Sequence, residues 1–161
     1  MTKLERLRAA GIATDLAFVH RDADRAGVHT RRTEISDAAA ACGVTSIVVP
    51  IVPVQELEAW LLTDELALRR VVGRPNSRVS LGLPRLATIE ATPSPKEILK
   101  SALLAASETT GRRRTQERSD FEKRRRALLD RLDIDGPIRQ LPAWRRLEAD
   151  IVEAVSTLMT G

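Results

Sequence analysis

The chain has 161 residues, 43% hydrophobic and 30% charged, with a formal net charge of +4. That is the balance of one globular domain able to bury a core, and it excludes a disordered or fibrous chain. Phe18, Trp60, Phe121 and Trp144 are the only aromatic residues, so the core must be aliphatic, and readers of single strands by base stacking are disfavoured.

Cys42 is the single cysteine, so no disulfide framework exists and a reducing compartment fits. The start, MTKLER, carries no apolar signal segment, and no apolar run approaches membrane-spanning length. A soluble, cytoplasmic protein with no membrane contact is expected. Residues 112–126 (RRRTQERSDFEKRRR) hold eight basic and three acidic side chains, or +5, against a whole-chain charge of +4. One segment therefore carries the entire excess.

In chain order, residues 3–10 (KLERLRAA) have the apolar spacing of an amphipathic helix stopped by Gly11. Asp15 to His20 (DLAFVH) is an apolar run of strand length. Arg31 to Ala41 predicts a helix closed by Gly43. Val44 to Val52 (VTSIVVPIV) lacks polar alternation, as in a strand of a parallel sheet buried on both faces. Strand, helix and strand form a βαβ unit.

Gln55 to Val72 predicts one long helix, with Leu57, Trp60, Leu61, Leu68 and Val72 along one stripe. The proline-punctuated stretch from Gly73 to Pro93 predicts an irregular excursion. Ser94, Pro95 and Glu97 give a helix start with a capping serine. Thr109 to Gln116 reads as a mobile basic loop, followed by helices over Ser119–Leu132 and Ala143–Met159. The fold class is α/β: a small, mostly parallel sheet flanked by helices, with a helical C-terminal half. Two visible strands are few for an independent sheet.

Asp22 and Asp24 follow directly on the first strand, and functional groups in α/β sheets gather beyond the carboxyl ends of the strands. Residues i and i+2 of an extended segment project to one side, so both carboxylates can converge on one hard cation. Mg²⁺ takes one or two carboxylates and keeps several waters, which suits phosphoryl chemistry. The bland reading is a surface turn salt-bridged by Arg21 and Arg25. Glu56, Glu58 and Asp64 cluster near the start of the helix after the second strand. Glu56 or Glu58 could supply a third ligand, or both could be helix-terminal acids favoured by the dipole. His20 is a candidate base or tuning group beside Asp22, or a structural histidine. Trp60 and Cys42 read as core. No P-loop, zinc-ligand spacing or Gly-x-Ser-x-Gly elbow is present.

DLAFVHRDADRAG, then IVVPIVPVQELEAWLLTD, then PSPKEILK together resemble the Toprim-like family of unknown function. That family is related to Toprim nucleases of the overcoming-lysogenization-defect type and to RloB-like proteins of phage defence. The resemblance covers about residues 3–104. It implies a Toprim-like (Rossmannoid) domain over 1–105, with a basic helical extension over 106–161 packed on it. It also implies Mg²⁺ or Mn²⁺ held by Asp22, Asp24 and Glu58 as the catalytic set, for DNA cleavage or nucleotidyl transfer. Toprim domains open with a strand ending in a glutamate, for which this sequence shows no upstream counterpart. A protein partner or a second copy covering that sheet edge is therefore expected, unless the fold is an inactive remnant or the true start lies upstream.

Arg112, Arg113, Arg114, Lys123, Arg124, Arg125 and Arg126 are candidate phosphate-backbone contacts on DNA, releasing counterions without reading sequence. The bland alternative is a solvated helix face, with Glu117 and Glu122 paired to nearby arginines. Two readings follow: a Mg/Mn-dependent nuclease or nuclease subunit acting in defence against foreign DNA, or a non-catalytic interaction subunit that completes its sheet with a partner. A metal-dependent transferase acting on nucleotide phosphates is a weaker third.

Overall fold

The computed structural model describes residues 6, 10 and 14–160. The helix expected over 3–10 falls mostly outside them. The chain is α/β and divides into two compact units, Met1–Val54 with Pro142–Gly161, and Gln55–Leu141. The boundary expected at residue 105 lies inside the second unit.

In the first unit, β1 (Leu16–His20) pairs in parallel with β2 (Ile47–Ile51), in register from Leu16 opposite Ile47 to His20 opposite Ile51. The Ile47 amide donates to Asp15 and the Arg21 amide to Ile51. The odd-numbered backbone groups of both strands therefore face each other, and the even-numbered ones face outward. Pro50, which has no amide hydrogen, falls on the outward side of β2 and so removes no ladder bond. The outward groups of Leu16, Phe18 and His20 have no strand partner among the described residues, and Phe18 is 52% exposed.

The crossover helix α1 (Val28–Ala41) starts three residues earlier than the sequence predicts. It ends as expected at Gly43, whose φ of 61° is left-handed. The Gly43 amide donates to Ala40 and the Val44 amide to Ala39, the paired bonds of a Schellman end. That closure uses Val44, so β2 is shorter than the apolar run suggested. Cys42, expected in the core, is half-buried. Ala23, Ile35 and Val52 form a buried cluster with Val19, Val28 and Val48 packed against it. The last helix of the chain, Pro142–Thr160, belongs to this unit, and its Asp150 accepts two hydrogen bonds from Arg32 of α1, at 2.6 and 3.0 Å.

In the second unit, the long helix expected over 55–72 is two: α2 (Glu58–Leu61) and α3 (Glu65–Val71). The break is the Thr63-Asp64 pair. The Thr63 hydroxyl bonds back to the Trp60 carbonyl, and Asp64, in an extended conformation, accepts from the Ala67 amide at 2.8 Å. Asp is a strong helix-capping residue, so it starts a new helix instead of continuing the old one. Of the predicted stripe, Trp60, Leu61 and Leu68 are core, at 3, 2 and 0% exposure, while Leu57 and Val72 are half-buried.

The excursion after Gly73 is irregular, as expected, with a short 3₁₀ turn over Leu86–Ala91. Helix α4 (Pro95–Ser107) has Pro95 at its start, but Ser94 sits in a left-handed conformation (φ 53°) and its hydroxyl caps nothing. The basic stretch expected to be a loop is instead helix α5 (Gly111–Ser119), followed by α6 (Phe121–Leu129). Arginine is a good helix former, and the Ser119 hydroxyl bonded to the Gln116 carbonyl closes α5. Phe121 anchors α6 under Lys96 and Lys100 of α4, which stand 5.7 and 5.4 Å from its ring. The chain's last helix then becomes α7 (Pro142–Thr160). Among the described residues, no helix is long and apolar enough to cross a membrane.

The Arg32–Asp150 pair is bidentate and mostly shielded, with side chains 27 and 15% exposed. A double-mutant cycle with Arg32→Met and Asp150→Asn should return a coupling of about 1–3 kcal/mol in urea unfolding. Additive losses would mean that the pair does not tie α1 to α7.

Candidate functional site

The Asp22-Ala23-Asp24 stretch is held by the strand pairing beneath it. Beyond the end of β1, the Arg21 amide donates to Ile51 at 3.0 Å and the Ala23 amide to Pro53 at 2.9 Å. The parallel ladder thus runs on past His20 by alternate residues. Ala23 is fully buried against Ile35 and Val52. Ala23 itself has helical dihedrals (φ −74°, ψ −36°), so the chain leaves the extended conformation between the two acids. Asp24 is exposed, and the Asp22 side chain is 34% exposed. The two acids flank a buried anchor at the carboxyl end of a parallel strand, but the turn at Ala23 and Asp24 departs from the extended segment that was expected to carry both to one side.

Asp24 has a left-handed φ of 47° and opens a short 3₁₀ turn over Asp24–Ala26. Asp tolerates that region better than most residues, though at a cost. Gly27, with φ of 84° and extended ψ, turns the chain into α1, a conformation open essentially to glycine alone. Both acids therefore precede the positive N-terminal end of α1, where negative charge is favoured.

The flanking Arg21 is placed by a partner other than the two acids. Arg21 pairs with Glu34 of α1 at 2.8 Å, and Arg31 donates to the same carboxylate at 2.9 and 3.2 Å. The salt-bridged turn expected from Arg21 is thus directed to α1. The bond from Arg31, reinforced by the charges of Arg21 and Arg31, holds the Glu34 pKa below its ordinary value. His20 Nε2 lies 3.2 Å from Asp22 Oδ1, so this histidine is an exposed neighbour of the acid and not a core residue.

Glu58 belongs to the second unit. It is 5% exposed, and its Oε1 accepts from Arg125 Nε at 2.7 Å. The other acids of the same stretch are also engaged. Glu56 Oε2 accepts from the Lys96 amide at 2.9 Å, capping α4 in place of Ser94. Asp64 caps α3. Trp60 Nε1 donates to the buried Glu90 at 3.3 Å. The QELEAWLLTD and PSPKEILK motifs are therefore physically joined, since an acid of the first closes the helix of the second. Among the described residues, no three His, Cys, Asp or Glu side chains are gathered in a group that could hold one metal ion. Asp22 and Asp24 are hard oxygen donors of the type Mg²⁺ and Mn²⁺ accept in ones and twos, so the donor chemistry fits those ions.

The basic candidates separate into two kinds. Arg124 donates to Glu117 at 2.9 and 3.3 Å and to the Val71 carbonyl, and Arg125 holds Glu58; both are half-buried. Arg112, Arg113, Arg114, Lys123 and Arg126 are exposed and make no ion pair among the described residues. Arg118 is of the same kind and was not among the candidates, although its i+4 spacing from Arg114 on a helix would have revealed it.

Arg125→Met should cost about 2–4 kcal/mol in chemical denaturation, because it strands a buried carboxylate, and Glu58→Leu/Arg125→Met should recover much of that loss. A harmless Arg125→Met would show that the pair does not support the fold. Glu34, with its folded pKa lowered, contributes stability that is present above its unfolded value of about 4.3 and lost as pH falls through the folded value. Glu34→Gln should therefore flatten the acid limb of the stability curve, which thermal unfolding between neutral and acid pH would detect.

In comparisons with known proteins, no family model, no curated protein and no solved structure matched this chain.

Proposed function

We propose that this chain is a Mg²⁺- or Mn²⁺-dependent phosphodiesterase of Toprim type, a nuclease or nuclease subunit acting on DNA, in keeping with its resemblance to defence nucleases. A cytoplasmic setting suits that role. One observation carries the reading: two carboxylates flank a buried alanine just past the end of a parallel strand, with that alanine bonded into the ladder. When bound, the cation would supply Lewis-acid polarisation of a phosphodiester. Asp22 and Asp24 would hold it, and His20 would orient Asp22 through their 3.2 Å contact.

Glu58, which the family resemblance makes a third ligand, we assign to packing instead, because its carboxylate is buried and bonded to Arg125. The exposed cations of α5 and α6 would contact the DNA backbone.

A second reading is favoured by Phe18, 52% exposed on the strand whose outward groups lack a strand partner among the described residues. Such an edge accepts a further strand, as in a non-catalytic subunit completed by a protein partner or second copy.

Nicking of supercoiled plasmid with Mn²⁺ separates the two. Wild type should nick, and Asp22→Asn and Asp24→Asn should each lower the rate at least about 100-fold, the scale of losing several kcal/mol of transition-state stabilisation. Nicking unchanged by either substitution would defeat the nuclease reading. No nicking by a folded wild-type chain would leave the interaction subunit in its place.

A further inference from the structure

Helix α5 is built against the ordinary rules of helix stability. It buries no residue, and the bond of its Glu117 to Arg124 of α6 is polar rather than core packing. Its first turn carries Arg112, Arg113 and Arg114, no acid stands there, and Thr110 makes no side-chain cap. Cations at a helix N-terminus oppose the macrodipole, and Arg114 and Arg118 add a like-charge pair at i, i+4. Nor do the local acids offset this. Glu117 is bonded to Arg124, Glu122 lies 3.8 Å from Lys96, and Asp120 accepts from Gln116. Arg112, Arg113, Arg114, Arg118, Lys123 and Arg126 remain exposed without an ion partner among the described residues. Six uncompensated cations on two successive helices, three of them placed where they weaken their own helix, call for an anion from outside.

We propose that α5 is completed by the phosphate backbone of double-stranded nucleic acid, whose charges supply what the first turn lacks, so that binding and helix order are coupled. This rests on, and deepens, the reading of the chain as acting on DNA. A protein partner fits less well, because protein interfaces need an apolar centre and α5 presents none. Single strands fit less well, because they are held by stacking on aromatic rings, and the nearby aromatic residue, Phe121, is buried under two lysines. Backbone contact to a duplex requires neither. Arg124 and Arg125 take no part in it, since they staple α6 to Glu117 and Glu58.

The test uses the full chain carrying Asp22→Asn/Asp24→Asn, in EDTA, so that binding is measured whether or not the chain is a nuclease. Anisotropy of a short fluorescent DNA duplex, with a salt series, is compared across three proteins: this background, the background with Arg112→Ala/Arg113→Ala/Arg114→Ala, and the background with Arg78→Ala/Arg85→Ala/Arg131→Ala. The last set removes as many exposed arginines from the same unit. The first-turn variant should bind at least about tenfold more weakly and lose about 2–3 from its log–log salt slope, at about 0.9 per phosphate contact. The control triple should bind as the parent does. Far-ultraviolet circular dichroism should show helix content rising on duplex addition in the parent and not in the first-turn variant. Equal losses from the two triples would overturn the proposal by reducing it to net charge. So would tighter binding of single-stranded DNA or of polyglutamate than of duplex, or binding without a gain in helix.

Discussion

The bond from the Ala23 amide to the Pro53 carbonyl, 2.9 Å long, fixes the part of this molecule on which its chemistry would depend. It continues the parallel ladder beyond β1 and holds Ala23 in the Ile35–Val52 cluster. Asp22 and Asp24 flank that anchor, with the chain turning between them through the helical Ala23 and the left-handed Asp24. A carboxylate pair on an unpinned loop would spread over many conformations. Here the Ala23 amide pins the residue between the acids to Pro53, and Glu34 of α1 draws Arg21 aside at 2.8 Å. Preorganisation of this kind is what a cation seat at these two acids would require.

The acids of the second unit serve a different purpose. Glu56 closes α4, Asp64 opens α3, Glu58 neutralises Arg125 and Glu90 receives the Trp60 indole. Each is matched to a donor that burial would otherwise leave unsatisfied, the usual condition on polar groups taken from water. A motif dense in acids can thus be a set of structural bonds. Ser94 illustrates the substitution: its backbone adopts a left-handed conformation, and a carboxylate from a distant segment performs the capping that its hydroxyl was expected to provide.

Much of this was legible in the sequence, for local physical reasons. A short apolar run and a continuous β-branched one announced two parallel strands, Gly43 announced the end of α1, and the spacing of Trp60, Leu61 and Leu68 announced a buried face. The exposure of the Asp22–Asp24 pair followed from strand-end placement. What escaped were features set by competition or by long-range partners. Thr63-Asp64 broke a helix that periodicity alone would have continued, although the capping chemistry was there to be read. Helix α5 was hidden because charge density suggested a loop, whereas arginine's own propensity permits a helix. The pairing of Glu58 with Arg125 spans 67 positions, and no local pattern marks it.

Mn²⁺ binding followed by electron paramagnetic resonance, which needs no substrate, bears most directly on the strand-end acids. Wild type should take up Mn²⁺ saturably, Asp22→Asn/Asp24→Asn should lose that uptake, and Glu58→Gln should keep it. Identical titrations for wild type and the double aspartate variant would contradict a cation seat at Asp22 and Asp24. Loss of binding in a folded Glu58→Gln protein would return that glutamate from the packing of the second unit to the metal site.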